Sequence, residues 1–502
     1  MTHFLQTGFL VIYFSALALI FVYGIHRYFL LYLYYKHRKT PKVIPKRSPA
    51  YKPRVTVQLP IYNEKYVVSS LMEAVGKLDY PKDKLEIQVL DDSTDETKAI
   101  ARSYVDKLKA LGIDVLYIHR HDRKGFKAGA LNEGLEQAKG DLIAIFDADF
   151  CPPPDFLARV VSYFSDERIG MVQTRWGYLN QTYSMLTNLQ SFFLDGHFLI
   201  EHFARNRSGR FFNFNGTAGI WRRECLTDAG GWQADTLTED LDLSYRAQLK
   251  GWKFLFIPEV VAPCEIPVEM NAFKSQQFRW AKGSIQTAKK MFWPIMKSPY
   301  PMKVKLEAMF HLTNNVAYFL MAIISLSIYP AMIVRFNMGL EKTVIIDFLV
   351  LLGSTASVSL FYATAQKGLY ANWFSRSLHL PLLMSLGIGI TLNNARAVVE
   401  ALFNIKTEFK RTPKYGVKTA GDTWKGKKYK GELSFVVILE ILMGLYCTFN
   451  IYFALTNKAY LYIPFLLLFQ SGFFYVAFMS FFQQKGCFKR RKPVFELMNY
   501  RE

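Results

Sequence analysis

Two kinds of periodicity divide this chain. Between residues 53 and 265, short β-branched and apolar runs alternate with segments of helical period. The runs are VTVQLP from Val55, IQVLD from Ile87, DVLYIH from Asp114 and LIAIFDAD from Leu142; the helical segments lie at 64–78, 95–111 and 126–138. That alternation predicts a mostly parallel sheet with helices on both faces and ligands beyond the carboxyl ends of the strands. Long apolar runs flank this region. The first is uncharged from Gly8 to Ile25, and others follow at about 310–334, 344–366, 378–392, 433–456 and 459–482.

Runs of this length span a bilayer. Residues 6–33 predict a span with the N-terminus outside, because a basic cluster (Lys36, Arg38, Lys39, Lys42, Lys46, Arg47) follows it, the reverse of a signal peptide. The 378–392 run is about 15 residues long, contains Gly387 and Gly389, and leads into ten Lys or Arg between Arg396 and Lys430. A full span there would put this basic segment outside, so an interfacial or re-entrant element is predicted. Five spans remain, with a cytosolic tail carrying Lys485 and Lys489 to Lys492. The expected order is a transmembrane helix (1–36), an α/β domain (50–270), interfacial helices (271–305), two spans (306–367), an interfacial helix and loop (373–432), two spans (433–484) and the tail (485–502).

Composition changes this picture little. Of 502 residues 51% are hydrophobic, and the net charge is +21. Lys and Arg beside apolar spans describe topology and attraction to anionic lipid, so membrane lipid is an expected partner and nucleic acid is not. Five dispersed cysteines without CxxC pairs argue against a disulfide framework or a zinc site and fit a reducing compartment.

Carboxylates gather where strands end: Asp91 and Asp92, Asp147 and Asp149, then Glu239 and Asp240. They call for a divalent cation or for a hydroxyl that must lose a proton. In an extended segment Asp147 and Asp149 point the same way, toward one cation. Plainer roles compete, since Ser93 to Glu96 and Thr236 to Glu239 both read as capping boxes. Asp240 has no such explanation. In QQFRW, Arg279 can fork onto phosphate and Trp280 offers a face for sugar rings. Beyond it, Phe278, Ala281, Ile285, Ala288 and Phe292 recur at helical intervals with Lys282, Lys289 and Lys290 between them. This describes a helix on the cytosolic membrane surface, or alternatively a buried helix of the soluble domain.

The motifs DDS, DAD, TED and QxxRW, in this order and before a block of spans, resemble the family 2 membrane glycosyltransferases: cellulose, hyaluronan and chitin synthases and the cellulose-synthase-like mannan and glucan synthases. The resemblance covers residues 50–482. QLPIYNE, VLDDSTDET, KAGALNEG, FDADF, VQTRW, FNGTAGIWR and QQFRW look closest to plant-type glucomannan and xyloglucan-backbone synthases. It implies a cytosolic, Rossmann-like GT-A catalytic domain joined to about five transmembrane helices and to interfacial helices. Tyr62, Glu64 and Asp92 would hold base and ribose, with Lys127 near the diphosphate. Asp147 and Asp149 would hold nucleotide and Mg2+ or Mn2+. Asp240 would be the general base, beside Glu239. Gln276 and Arg279 would grip the pyrophosphate, Trp280 would be the acceptor platform, and Phe214, Asn215, Gly216 and Thr217 would line the acceptor pocket. FKRTPK, Phe409 to Lys414, resembles the gating-loop pattern FxVTxK with Arg411 in place of valine; Thr412 and Lys414 would touch phosphates. A basic strip held to lipid headgroups is the other reading of that loop.

The implied reaction is inverting transfer of a hexose from a sugar nucleotide, of UDP-glucose or GDP-mannose type, to a β-1,4-linked glucan or mannan that is extended processively and exported. Whether an accessory subunit takes part is left open. A non-processive enzyme acting on a lipid acceptor is the alternative. A transporter with a nucleotide-binding regulatory domain would need ionisable residues well inside the spans, and few are there.

Overall fold

The computed structural model describes residues 3–40, 51–407, 411–419, 421–429 and 431–484. Lys42, Lys46, Arg47, Phe409, Cys487 and the basic tail lie outside the described residues. The chain opens with helix α1 (His3–His37), then runs β1 (Val55–Ile61), α2 (Val68–Gly76), β2 (Leu85–Asp91), α3 (Thr97–Ala110), β3 (Asp114–His119), α4 (Phe126–Gln137) and β4 (Leu142–Ile145). The first two helical segments begin later than periodicity suggested, because Tyr62 to Val67 and Asp92 to Glu96 are spent on turns at the sheet edge, while α4 begins at Phe126 as expected. Neither capping box forms. At α3 the Asp95 carboxylate accepts from Thr97 N at 3.0 Å, while the Ser93 hydroxyl accepts from Asn63 N at 2.9 Å.

The second half of the domain adds α5 (Phe156–Val160), β5 (Ile169–Tyr178), α6 (Met185–Asp195), α7 (Phe203–Arg207), β6 (Gly219–Arg222), α8 (Arg223–Asp228), α9 (Glu239–Leu249) and β7 (Lys253–Cys264). The seven strands form one sheet in the order β3-β2-β1-β4-β6-β5-β7. It is mixed, since β6 runs antiparallel to both β4 and β5 and the other pairs are parallel. Central strands are covered on both faces, so Val55, Val57, Leu59, Ile143, Ala144 and Ile145 are fully buried and read as apolar runs rather than alternation. β4 stops at Ile145, which leaves Asp147 to Asp149 in a turn and not in the extended segment the spacing suggested.

After the sheet come α10 (Met270–Lys297), α11 (Met302–Thr313), α12 (Val316–Met338), α13 (Val344–Leu369), α14 (Trp373–Ser377), α15 (Leu380–Gly389), α16 (Thr391–Leu402), α17 (Val436–Thr456) and α18 (Ile463–Gln484). Five segments are long and apolar enough to cross a membrane: His3–His37, Val316–Met338, Glu341–Leu369, Val436–Thr456 and Tyr460–Gln483. The 378–392 run is broken: the α14–α15 segment meets α16 at a 42° bend. Three charged residues of the described part of these helices are buried: Glu440 of α17, and Arg335 and Asp347, which are joined by two bonds at 2.8 and 2.9 Å, with the Tyr13 hydroxyl 2.8 Å from the same aspartate carboxylate. Pairing at both oxygens compensates the desolvation of both charges.

α10 starts at Met270, well before the stripe that predicted it, and carries Gln276 to Trp280 in its first half. Three lysines of the stripe are held by protein partners. Lys282 bonds Glu400 at 2.8 Å, Lys289 bonds the last carbonyls of α16 at 3.1 and 2.8 Å, and Lys290 bonds Asp242 at 2.9 Å. Lysine at a helix C-terminus satisfies carbonyls that lack an intrahelical partner.

Candidate active site

The carboxyl ends of β1, β2 and β4, the start of α9, one face of α10 and residues 411–414 enclose a cleft of about 1250 Å³ including its open mouth. Tyr62, Glu64, Asp92, Lys127, Asp147, Asp149, Asn215, Gly216, Glu239, Asp240, Gln276, Arg279, Trp280, Thr412 and Lys414 all line it. Segments up to 350 residues apart in sequence thus converge on one space. Phe214 and Thr217 do not reach it. Phe214 is fully buried in an aromatic cluster, its ring 5.6 Å from that of Trp221, and the Thr217 hydroxyl accepts from Asp147 N at 2.9 Å. Both hold the wall from behind, which corrects the expectation that they line an acceptor pocket.

On the β1–β2 side, Arg120 grips Asp92 with two bonds at 2.7 and 2.6 Å, so both its carboxylate oxygens are engaged. Arg123 lies on the Tyr62 ring, its guanidinium carbon 3.3 Å from the centroid, and its Nε is buried without a hydrogen bond. Arg411 stands 3.2 Å from Glu64. Burial pushes the Glu64 carboxyl up to about 7, with Arg411 opposing the shift.

In the middle, Gly125 at φ 73° opens α4 and delivers Lys127 to the cleft, where its ammonium donates to Asp147 at 2.5 Å and to the Gly216 carbonyl at 2.9 Å. Burial opposes the Lys127 charge, but Asp147, Glu239 and Asp240 outweigh it and raise its pKa. Lys414 donates to Asp149 at 2.5 Å and to the Glu265 carbonyl at 2.5 Å, while the Glu265 carboxylate accepts from Tyr415 N and Gly416 N at 2.9 and 2.7 Å. The 412–416 segment is thereby strapped to the end of β7.

Asp240 is the second residue of α9. Thr238 rather than Thr236 occupies the cap position, and the Thr236 hydroxyl is buried without a hydrogen bond. The box fails because the helix begins one turn position too late for Thr236 to reach it. Asp240 accepts from Leu241 N at 2.8 Å. Burial, followed by the adjacent Glu239 charge, pushes its carboxyl up to about 7. Such a group is protonated in part near neutrality, which suits a base that must take and release a proton.

Sequence reading missed Arg120, Arg123, Glu265 and the two histidines that hold Asn215. His202 Nε2 lies 2.6 Å from Asn215 Oδ1 and His197 Nε2 lies 2.8 Å from its Nδ2, both on a wide π-type turn, Gly196–His202. Polar residues inside the apolar DGHFLIEH stretch and the basic run before KAGAL were the available signals.

Asp147 and Asp149 both point carboxylate oxygens at positive charge, and hard oxygen donors suit Mg2+ or Mn2+. Among the described residues no group of three or more His, Cys, Asp or Glu could hold a metal alone. This fits a cation that completes its shell with substrate phosphates and water.

Residues 53–283 match the family model described as glycosyltransferase like family 2. A glucomannan 4-beta-mannosyltransferase 7 of Arabidopsis thaliana is 35% identical over 454 residues, 86% of this chain and 77% of that protein. The chain is a family 2 glycosyltransferase. It belongs to the cellulose-synthase-like group. A probable glucomannan 4-beta-mannosyltransferase 6 of rice, Oryza sativa subsp. japonica, is 43% identical over 249 residues, 49% of this glycosyltransferase but 43% of the rice protein's length. The fold resembles that of the mannosyltransferase PcManGT from Pyrobaculum calidifontis, solved with GDP-Man and Mn2+, at a TM-score of 0.55 and 23% identity over 79% of this chain and 99% of that one. Its domain is accordingly of the GT-A type, a Rossmann-like mixed sheet.

Proposed function

We propose that this glycosyltransferase transfers mannose from GDP-mannose to the growing end of a β-1,4-linked mannan or glucomannan, with inversion, extends that chain processively and passes it outward between its membrane helices. The observation that carries the reading is Asp240. It is a half-buried carboxyl held near neutrality, facing the same cleft as the Lys127, Arg279 and Lys414 cations and the Trp280 ring. The names of the relatives support a mannosyl donor and a polysaccharide acceptor.

In this reading the acceptor sugar rests on Trp280 and directs a hydroxyl at Asp240. Asp240 takes the hydroxyl proton as the oxygen attacks the anomeric carbon from the face opposite the nucleotide, and the diphosphate leaves toward Lys127, Gln276, Arg279 and Lys414. No second carboxylate acts as nucleophile, so an α-linked donor gives a β linkage. Tyr62, Glu64, Asp92 and Thr412 hold the nucleotide, and Glu239 sets the proton affinity of Asp240. Asp147 and Asp149 would hold Mg2+ or Mn2+, which neutralises diphosphate charge when bound. Lys127 and Lys414 neutralise these same aspartates until the donor arrives. The α/β domain faces the cytosol, where sugar nucleotides are made, and the N-terminus lies outside.

The test is radiolabel incorporation by purified protein in lipid nanodiscs with Mg2+ or Mn2+, using GDP-mannose and UDP-glucose side by side, with Asp240→Asn as control. A long alkali-insoluble polymer from GDP-mannose, lost in Asp240→Asn, is expected. A short product that extracts into organic solvent would replace this reading with transfer to lipid, and incorporation from UDP-glucose alone would replace the donor.

A further inference from the structure

α10 has two faces with different partners. Gln276, Arg279 and Trp280 line the cleft. At 3.6 residues per turn, Lys274, Lys282 and Lys289 fall within about 80° of one another on the other side. Lys274, 3% exposed, places its ammonium 2.7 Å from Glu440 of α17, which is fully buried. Lys282, 1% exposed, bonds Glu400 of α16 at 2.8 Å, the Ile405 carbonyl at 2.6 Å and the Thr407 hydroxyl at 2.8 Å. The two pairs bracket Gln276 to Trp280 in the sequence. They join the helix that carries the cleft wall to one span-length helix and to the helix that leads into residues 411–414.

Ion pairs withdrawn from water add little net stability, because desolvation cancels most of their attraction, and apolar replacement of both partners is often neutral or stabilising. They are, however, intolerant of misregister. Sliding α10 by one turn, about 5.4 Å, would leave two ammonium groups and the Glu440 carboxylate buried without partners, and would leave Glu400 only Arg396, which it bonds at 2.7 Å. Apolar side chains along the same interface could slip without such a loss. The pairs therefore fix where the cleft wall stands against the membrane helices.

We infer that Lys274–Glu440 and Lys282–Glu400 are positioning pairs that set the register of Arg279 and Trp280 against the membrane helices, so that an acceptor on Trp280 meets both the bound donor and its route between those helices. The inference rests on the reading of Trp280 as acceptor platform. Its consequence is selective. A helix out of register misplaces the acceptor hydroxyl while water still reaches the donor, so transfer to sugar falls relative to transfer to water. Misplacement by about 1 Å is enough to cost roughly 100-fold in rate.

The experiment measures, in nanodiscs with GDP-mannose, the ratio of mannosyl transfer to donor hydrolysis, the length of the product, and thermal melting. This ratio does not depend on the fraction of protein folded, so a merely structural role would not move it. Lys274→Met/Glu440→Met and Lys282→Met/Glu400→Met are expected to melt at or above the wild-type temperature, to lose roughly tenfold or more in the ratio, and to make shorter chains. Either folded double variant with the wild-type ratio and chain length overturns the inference. Where a double variant does not fold, Lys274→Arg, which keeps the charge and changes its reach, decides on the same ratio. Wild-type protein that neither transfers nor hydrolyses any sugar nucleotide overturns the enzymatic reading itself, a result visible before any variant is made.

Discussion

Lys414 and Asp149, 265 positions apart, meet at 2.5 Å across the mouth of the cleft. The contact joins the loop that follows α16 to the aspartate pair of the sheet domain. Asp149 and Asp147 are each neutralised by a lysine, so the donor finds the site electrostatically balanced before any cation arrives. In the proposed reading both lysines turn from carboxylate to phosphate on donor binding, a charge-assisted bond worth about 1.5–3 kcal/mol. Lys414→Ala is therefore expected to weaken GDP binding about 10- to 100-fold, measured by calorimetry in the presence of Mg2+. Unchanged affinity would mean that Lys414 serves only to strap the loop to Glu265.

The pH dependence of transfer follows from Asp240. Its carboxyl is raised to about 7 by burial and by the neighbouring Glu239 charge, and only the deprotonated form can accept a proton. Activity therefore rises with pH, and kcat/KM falls on the acid side with a midpoint near 7. Glu239→Gln removes the second cause and moves that midpoint to lower pH. Asp240→Asn abolishes the limb and lowers the rate by about 100- to 10,000-fold. A limb that stays in place in Glu239→Gln would assign it to another group, Glu64 being the other carboxyl of the cleft held near 7.

Gly216 sits at φ 79°, and a Cβ there would stand 3.0 Å from Asp240 Oδ2 and 3.4 Å from Lys127 Nζ. Left-handed backbone costs a residue with a side chain about 1–2 kcal/mol. The added methyl also pushes on the carboxylate and ammonium at the centre of the cleft. Gly216→Ala is expected to lower the melting temperature by a few degrees and to remove most transferase activity. A stable, fully active variant would show that the close approach of Gly216 to Asp240 is not needed.

Much of this was legible in the sequence because strands buried on both faces and membrane spans each leave long apolar signatures. The order of DDS, DAD, TED and QxxRW then located the cleft. The antiparallel β6 was not legible: four residues, Gly219 to Arg222, carry no orientation of their own, and the pairing with β4 and β5 is set by the fold around them. The protein partners of the α10 lysines were not legible for a related reason. A lysine beside an apolar stripe looks the same whether it faces a lipid headgroup or a glutamate 118 or 166 positions away. Phe214 and Thr217 share a motif with Asn215 and Gly216, yet only the latter two face the cleft, because Phe214 turns its ring into the aromatic cluster and Thr217 its hydroxyl to the backbone of Asp147.

In the proposed reading the base of the donor lies beside Tyr62. Asp92 is already held at both oxygens by Arg120, so the donor on this wall is Arg123, whose guanidinium carbon stands 3.3 Å from the Tyr62 centroid and whose buried Nε, 3.9 Å from Asp92, makes no hydrogen bond. A guanidinium fork pairs with two adjacent acceptors, and guanine offers O6 and N7 on one edge while uracil offers no such pair. A bidentate pair of this kind discriminates by about 1–3 kcal/mol, equivalent to roughly 10- to 100-fold in affinity. Arg123→Ala is therefore expected to weaken GDP by that factor and to leave UDP nearly unaffected, measured by calorimetry with both nucleotides on the same preparation. Equal losses for GDP and UDP would instead mean that Arg123 acts through the Tyr62 stack or the phosphates, and would remove the structural ground for a guanine nucleotide as donor.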